Sequence, residues 1–222
     1  GNGVKIISDR LFEGCKHLVD VVLPEGIEKI GDGAFYGCTN LKSIKLPDSL
    51  LEMRSSVLDG CTSLESIHIG ANLQKVGIHS TEDFAFGCVN LTNITVSPYN
   101  KHFYIDKNIL YNADNQVLIK AFGKTKINTL IISSKIKGLA VGSFSNANID
   151  TLIIKSKDLD GIKMSQIKKI KNICCMPNSS VEKYFMSLGI NTNPVGSNEL
   201  NKFINSLVEN NPDIDKWSSN EV

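Results

Sequence analysis

Cysteine is the residue type in this 222-residue chain whose spacing could most directly encode chemistry. There are six, and Cys15, Cys38 and Cys61 follow one another at an interval of 23 residues, with Cys88 a further 27 on. Such a series could build a metal site or a disulfide. Zinc needs convergent thiolates, yet the chain has no Cys-x-x-Cys pair, and Cys174 and Cys175, adjacent in a strand, face opposite sides. A disulfide needs converging Cβ vectors, whereas equivalent positions of stacked units point the same way. The series therefore reads as a column of small buried residues with a weak S–H donor. Buried free thiols suit an anaerobe's exterior and the cytosol alike, so they do not settle the compartment.

Histidine adds no site. His17, His68, His79 and His102 fall at no metal-ligand spacing, and there is no Gly-x-Ser-x-Gly, His-Glu-x-x-His or phosphate-cradling glycine loop. The sequence thus assigns no catalytic residue, no metal and no cofactor, although a repeat array could assemble a site from distant units. Three glycosylation patterns, at Asn90, Asn93 and Asn178, read as unmodified, since two of them lie in a repeat strand.

The 23-residue interval belongs to the whole chain. Val4, Ile27, Leu50 and Leu73 share it, as do Ile7, Ile30, Met53 and Val76, and Val21, Ile44 and Ile67. The longer step to Cys88 places an inserted loop at His79 to Asp83. Within a unit, Leu41-x-x-Ile44-x-Leu46 ends in alternating apolar positions, a short strand buried on one face. Ile27-x-x-Ile30 forms the return side, Phe35 drives inward, and Gly37 permits a tight turn. One such coil cannot bury its own apolar residues, so coils must stack at roughly 4.8 Å, the parallel-strand spacing.

Strands are predicted at 18–23, 41–46, 64–69, 91–96, 127–132, 149–154 and 170–175, giving seven coils. Ile109-Leu110-Tyr111 and Val117-Leu118-Ile119 flank the polar turn cluster 112–115 and predict a hairpin that projects from the stack. Ser179 with Glu182 is a capping box for a helix carrying Val181, Phe185 and Leu188. A second helix is expected from Leu200 to Val208, ending at Pro212 and followed by a polar tail. The domain reading is a solenoid over 1–176, with its insertion at about 100–126, and a helical cap with tail over 177–222.

Composition narrows the function. Lys+Arg 24 against Asp+Glu 23 leaves no electrostatic footprint for nucleic acid, and no apolar run is long enough for a membrane span. Gly1 opening straight into patterned sequence fits a chain trimmed of a leader, so a missing signal peptide says little about the precursor.

Leu41-x-x-Ile44-x-Leu46-Pro47-x-x-Leu50-x-x-Met53, with Ala34-Phe35-x-Gly37-Cys38-x-Asn40 before it, resembles the BspA-like leucine-rich repeats over roughly residues 4 to 176. Asp106-x-x-Ile109-Leu110-Tyr111 looks like the hairpin segment found between coils in that family, and Met176-Pro177-x-Ser179-Ser180-Val181-Glu182-x-Tyr184 like its last strand and capping helix. The departures are Leu58 for Phe, Gly70 and Ser97 at the proline position, and Ala147 in the cysteine column, expected to loosen single coils only. The resemblance implies an α/β, β-rich right-handed leucine-rich-repeat solenoid with a parallel sheet, a hairpin insertion and C-terminal capping helices. It also implies a secreted or cell-surface bacterial protein associated with adhesion to host or partner-cell proteins.

In a solenoid the inward residues are consumed by the core, so recognition falls to outward strand positions. Asp20, Ser43, Ser66, Asn93, Thr129, Thr151 and Asn172 form one polar ladder; Val22, Lys45, His68, Thr95, Ile131, Ile153 and Cys174 run beside it. The candidate ligand-binding residues are Lys45, His68, Thr95, Ile131 and Ile153, with nearby Lys42 and Glu65. Apolar members on a face that should be wet mark an interaction site, unless the hairpin or the C-terminal helices cover them. The functional expectation is a non-enzymatic module binding a protein or glycan; an intracellular scaffold using the same face is the alternative, and an enzyme a distant third. Oligomeric state is not legible.

Overall fold

Every coil is built from the same few inward positions. In one of them Ile27, Ile30, Phe35, Leu41, Ile44 and Leu46 are all at most 3% exposed, each contributing about 1.5–3 kcal/mol of burial. The computed structural model describes residues 3–77, 85, 87–114, 116–122, 126–145, 147–163, 167–190 and 192–194. The expected loop at 79–83, Asn115 of the hairpin turn, the second C-terminal helix and the polar tail lie outside these residues.

The first half has two parallel sheets. The return side stacks β1 (Ile6–Ile7), β3 (Lys29–Ile30), β5 (Glu52–Met53) and β7 (Lys75–Val76). The longer face stacks β2 (Asp20–Val22), β4 (Ser43–Lys45), β6 (Ser66–Ile69) and β8 (Asn93–Val96). Their register is that of the repeat, with Val21, Ile44, Ile67 and Ile94 side by side. At the corner before each cysteine, Gly14, Gly37, Gly60 and Gly87 all take positive φ, which glycine adopts without steric cost.

The cysteine column is structural. The Sγ of Cys38, Cys61 and Cys88 donates to the carbonyl oxygen of Phe12, Phe35 and Leu58 at 3.0, 3.1 and 3.1 Å, one coil back each time. All six cysteines are free thiols. A parallel ladder runs through Asn40 Nδ2 to Lys16 O and Asn90 Nδ2 to Thr62 O, at 2.7 and 2.9 Å.

In the second half β12 (Lys126–Ile132), β14 (Asn148–Ile154), β15 (Asn172–Cys175) and the short β16 (Asn193–Pro194) form the long parallel face. Between the halves lie β9 (Phe103–Asp106), β10 (Ile109–Asn112) and β11 (Val117–Ala121), an antiparallel meander whose last strand pairs in parallel with β13 (Gly138–Leu139).

This insertion does not project from the stack. Every residue of β10 and β11 is buried. Phe103, Leu110, Val117, Ile119 and Phe122 pack into the core of the first half, while Ile109, Tyr111, Leu118 and Ala121 pack into the core of the second. The meander is a septum with an apolar layer on each face, and it bridges two sheets that do not join. The sequence also concealed its third strand, because the two-residue turn Lys107-Asn108 takes positive φ at both positions without the Asn-Gly signature of such turns.

Helix α1 (Ser180–Ser187) follows the last repeat strand. Ser179 caps it, accepting from the Glu182 N–H at 3.1 Å, while Glu182 accepts from the Asn178 N–H at 2.6 Å. Gly189 at φ 70° ends it, with the Ile190 N–H returning to Phe185 O at 3.0 Å, the closing bond of a Schellman turn. Val181 and Phe185 are buried in the second core. No helix among the described residues is long and apolar enough to cross a membrane.

Candidate ligand-binding face

On the long face of the first half, alternation along each strand fixes which side chains point out. Val22, Lys45, His68 and Thr95 stand in one register column, Asp20, Ser43, Ser66 and Asn93 in another. Lys42 and Glu65 occupy equivalent positions at the start of successive strands, joined by the Glu65 N–H donating to Lys42 O at 2.8 Å. Lys42, Lys45, Glu65 and Thr95 are exposed and His68 is half-buried. The sequence-assigned residues of the first half therefore come together on one surface.

Two cross-strand bonds order it. Ser43 Oγ donates to Asp20 Oδ1 at 2.6 Å, and His68 Nδ1 lies 2.9 Å from Thr95 Oγ1. The result is an array with two cations, Lys42 and Lys45, two anions, Asp20 and Glu65, and fixed hydroxyls, able to present complementary charge and hydrogen bonds to a large partner. Tyr99 and Tyr104, at 80% and 45% exposure, stand just past β8. The sequence reading missed them; the cue is an aromatic in the Pro98-Tyr99 connection where a repeat should resume.

The second half behaves differently. Ile131, Ile153 and Cys174 continue an outward column in register, but Ile131 is half-buried, Ile153 fully buried and Cys174 only 4% exposed. Ile153 and Cys174 belong to neither core. Their outward side is covered, which removes the apolar solvent-facing pair that the pattern suggested. The other expected polar column survives, with Asn172 Nδ2 donating to Thr151 Oγ1 at 3.3 Å.

Elsewhere the chemistry is structural. His102 pairs with Asp114 at 2.6 Å, and His79 lies outside the described residues. Burial pushes the Cys61 thiol up to about 12 and also raises Cys38. Among the described residues no group of three or more His, Cys, Asp and Glu could hold a metal ion.

The model of the BspA type leucine rich repeat region matches residues 5–120 and 115–206, with six copies. No curated protein matches the chain. Among solved structures, the pneumococcal vaccine antigen PcpA superimposes with a TM-score of 0.67 at 20% identity, over 77% of this chain and 42% of that one. The chain thus spans less than half of that structure, and at this identity the likeness shows the fold alone. A leucine-rich repeat protein of T. pallidum gives a TM-score of 0.46 at 22% identity, over 86% of this chain and 79% of that one. A leucine-rich cell surface protein from Faecalibacterium prausnitzii gives 0.34 at 17%, over 71% and 61%.

Proposed function

The chain belongs to the BspA-type leucine-rich repeat family, and from that premise we propose that it is a non-enzymatic module binding a protein ligand on the outward face of β4, β6 and β8, as part of a bacterial cell-surface or secreted adhesin. Repeat proteins of this kind generally bind proteins. The observation that carries the reading is the in-register array of exposed Lys45 and Thr95 on either side of half-buried His68, flanked by exposed Lys42 and Glu65. An array at strand spacing, with inward residues spent on the core, suits an extended partner better than a small molecule. Surface location is supported by the family resemblance.

The test is binding to a panel of immobilised extracellular-matrix proteins, comparing the unaltered chain with Lys45→Glu/His68→Ala. At least a tenfold loss, about 1.4 kcal/mol, is expected for whichever matrix protein binds. Binding by the double variant at full strength would move the site off this face. An intracellular scaffold using the same residues is the second reading; a leader encoded upstream of Gly1 in the full gene decides against it.

A further inference from the structure

At the corner that follows the return strands β1, β3 and β5, three successive coils hold Arg10, Gly33 and Ser56 at one repeat position, 23 residues apart. Their backbones stack, the Arg10 N–H donating to Asp32 O at 2.8 Å and the Gly33 N–H to Ser55 O at 2.9 Å. All three take nearly the same positive φ, at 56°, 60° and 57°, so the fold carries an arginine and a serine in the conformation where the middle coil has glycine. Packing does not demand the glycine either. A Cβ at Gly33 would meet Tyr36 Cβ at 3.5 Å and Arg10 Cγ at 3.6 Å, both ordinary contact distances. What the glycine does is leave a gap, since Arg10 and Ser56 stand two strand spacings apart, roughly 10 Å, with no side chain at the position between them.

A cavity of about 530 Å³ occupies this corner, within the range of about 300–1,000 Å³ usual for small-ligand sites. Gly33, itself buried, is part of its floor, and Tyr36, 48% exposed, adds an aromatic ring to the lining. Arg10 and Glu13 of the first coil bound one side, Ser55 and Ser56 of the third the other. The charges are balanced: Arg10 Nε lies 3.7 Å from Glu13 Oε2, and Arg54 Nη1 lies 3.5 Å from Asp32 Oδ2. Asp32 Oδ1 also accepts the Ser55 N–H at 3.0 Å, so this lining carboxylate is held at both oxygens before any ligand arrives. Arg10 and Arg54 are the only arginines of the chain, every other basic side chain apart from histidine being lysine. One lines the cavity and the other orients its carboxylate, which places the planar five-donor guanidinium, rather than an ammonium, at this corner alone.

We infer that this corner cleft binds a neutral saccharide, with Tyr36 meeting the sugar ring and Arg10, Glu13 and Asp32 its hydroxyls. A pyranose has an apolar C–H face and a rim of hydroxyls, each able to donate and to accept. An aromatic ring with a polar tip suits the first. A guanidinium that only donates, beside carboxylates that only accept, suits the second. The paired charges select against ions: an anionic ligand would face Glu13 and Asp32, a cationic one Arg10, and like-charge contact is what rejects a wrong partner. The cleft shares no residue with the outward array of β4, β6 and β8. The inference therefore goes beyond the outward-face reading and does not rest on it.

The probes are lactose, maltose and N,N′-diacetylchitobiose, titrated into the unaltered chain and followed by amide NMR. At least one should shift Gly33, Tyr36 and Ser56 saturably, with a Kd of about 1 mM or tighter. Gly33→Asn puts a side chain into the gap with a residue that tolerates this φ, and should weaken sugar binding at least tenfold. Tyr36→Ala, at an exposed side chain, should do the same, and decides the matter where Gly33→Asn fails to fold. Lys45→Glu/His68→Ala should leave sugar binding unchanged, which separates this site from the outward face. No shift with any of the three sugars, shifts centred away from residues 33, 36 and 56, or full binding by either variant when folded would each overturn the inference. So would inorganic phosphate or spermidine binding these residues more tightly than the sugars do, which assigns the cleft to an ion.

Discussion

Lys120 Nζ donates to Ser145 Oγ at 2.9 Å from a side chain with no exposed surface. The same ammonium donates to Ala85 O at 3.3 Å and to Gly142 O at 3.2 Å. Lys120 sits on β11, Ala85 belongs to the coil before the septum and Gly142 and Ser145 to the coil after it. One buried cation thus ties both halves of the solenoid to the strand between them.

Lys120→Met keeps the volume and removes the donors, leaving buried acceptors without their charged partner. We expect a loss of at least ~2 kcal/mol, measured by urea denaturation. A neutral result would mean that water replaces the ammonium.

Cys61 supplies a pH dependence. Burial raises its thiol from 9.0 to about 12 in the folded chain, so between those values the unfolded chain releases a proton that the folded chain keeps. Stability from this group is complete below pH 9.0 and is lost as pH rises toward 12. Denaturation midpoints measured across that range should fall less steeply in Cys61→Ala than in the unaltered chain. Cys61→Ala should itself cost about 1–2 kcal/mol below pH 9.0, from the lost bond to Phe35 O and the small void.

Gly70 stands where the repeat elsewhere has Pro24 and Pro47. A Cβ at Gly70 would run into the carbonyl oxygen of Pro47, so the substitution that restores the consensus should harm the chain. Gly70→Ala is expected to cost about 1–3 kcal/mol, as overpacking does, and Gly70→Pro at least as much. Thermal unfolding of the two variants checks this, and a stabilised Gly70→Pro would contradict the packing.

Ile153 is fully buried on the outward side of β14. Replacing it with Ser creates a cavity and buries a hydroxyl, which should cost about 2–4 kcal/mol. Thr95→Ala, exposed on the equivalent column of the first half, should stay within about 0.5 kcal/mol. Chemical denaturation of both variants tests whether the two columns differ as the structure places them.

Much of the architecture was legible because it is periodic. A 23-residue repeat with Val21, Ile44 and Ile67 in phase admits one stacking register, since a slip by one residue would turn every inward side chain outward. The same logic identified the cysteine and asparagine columns, whose partners always lie one coil back, and the capping box at Ser179 and Glu182. The same repeat aligns Lys45, His68 and Thr95 in one column.

What periodicity does not reach is the place where it breaks. A polar turn between two β-prone runs reads the same whether the hairpin stands in water or is sandwiched. Only tertiary packing makes Leu110 face one core and Tyr111 the other. Likewise Ile153 alternates correctly as an outward residue, and its burial depends on what lies over the sheet, which no pattern along its own strand encodes.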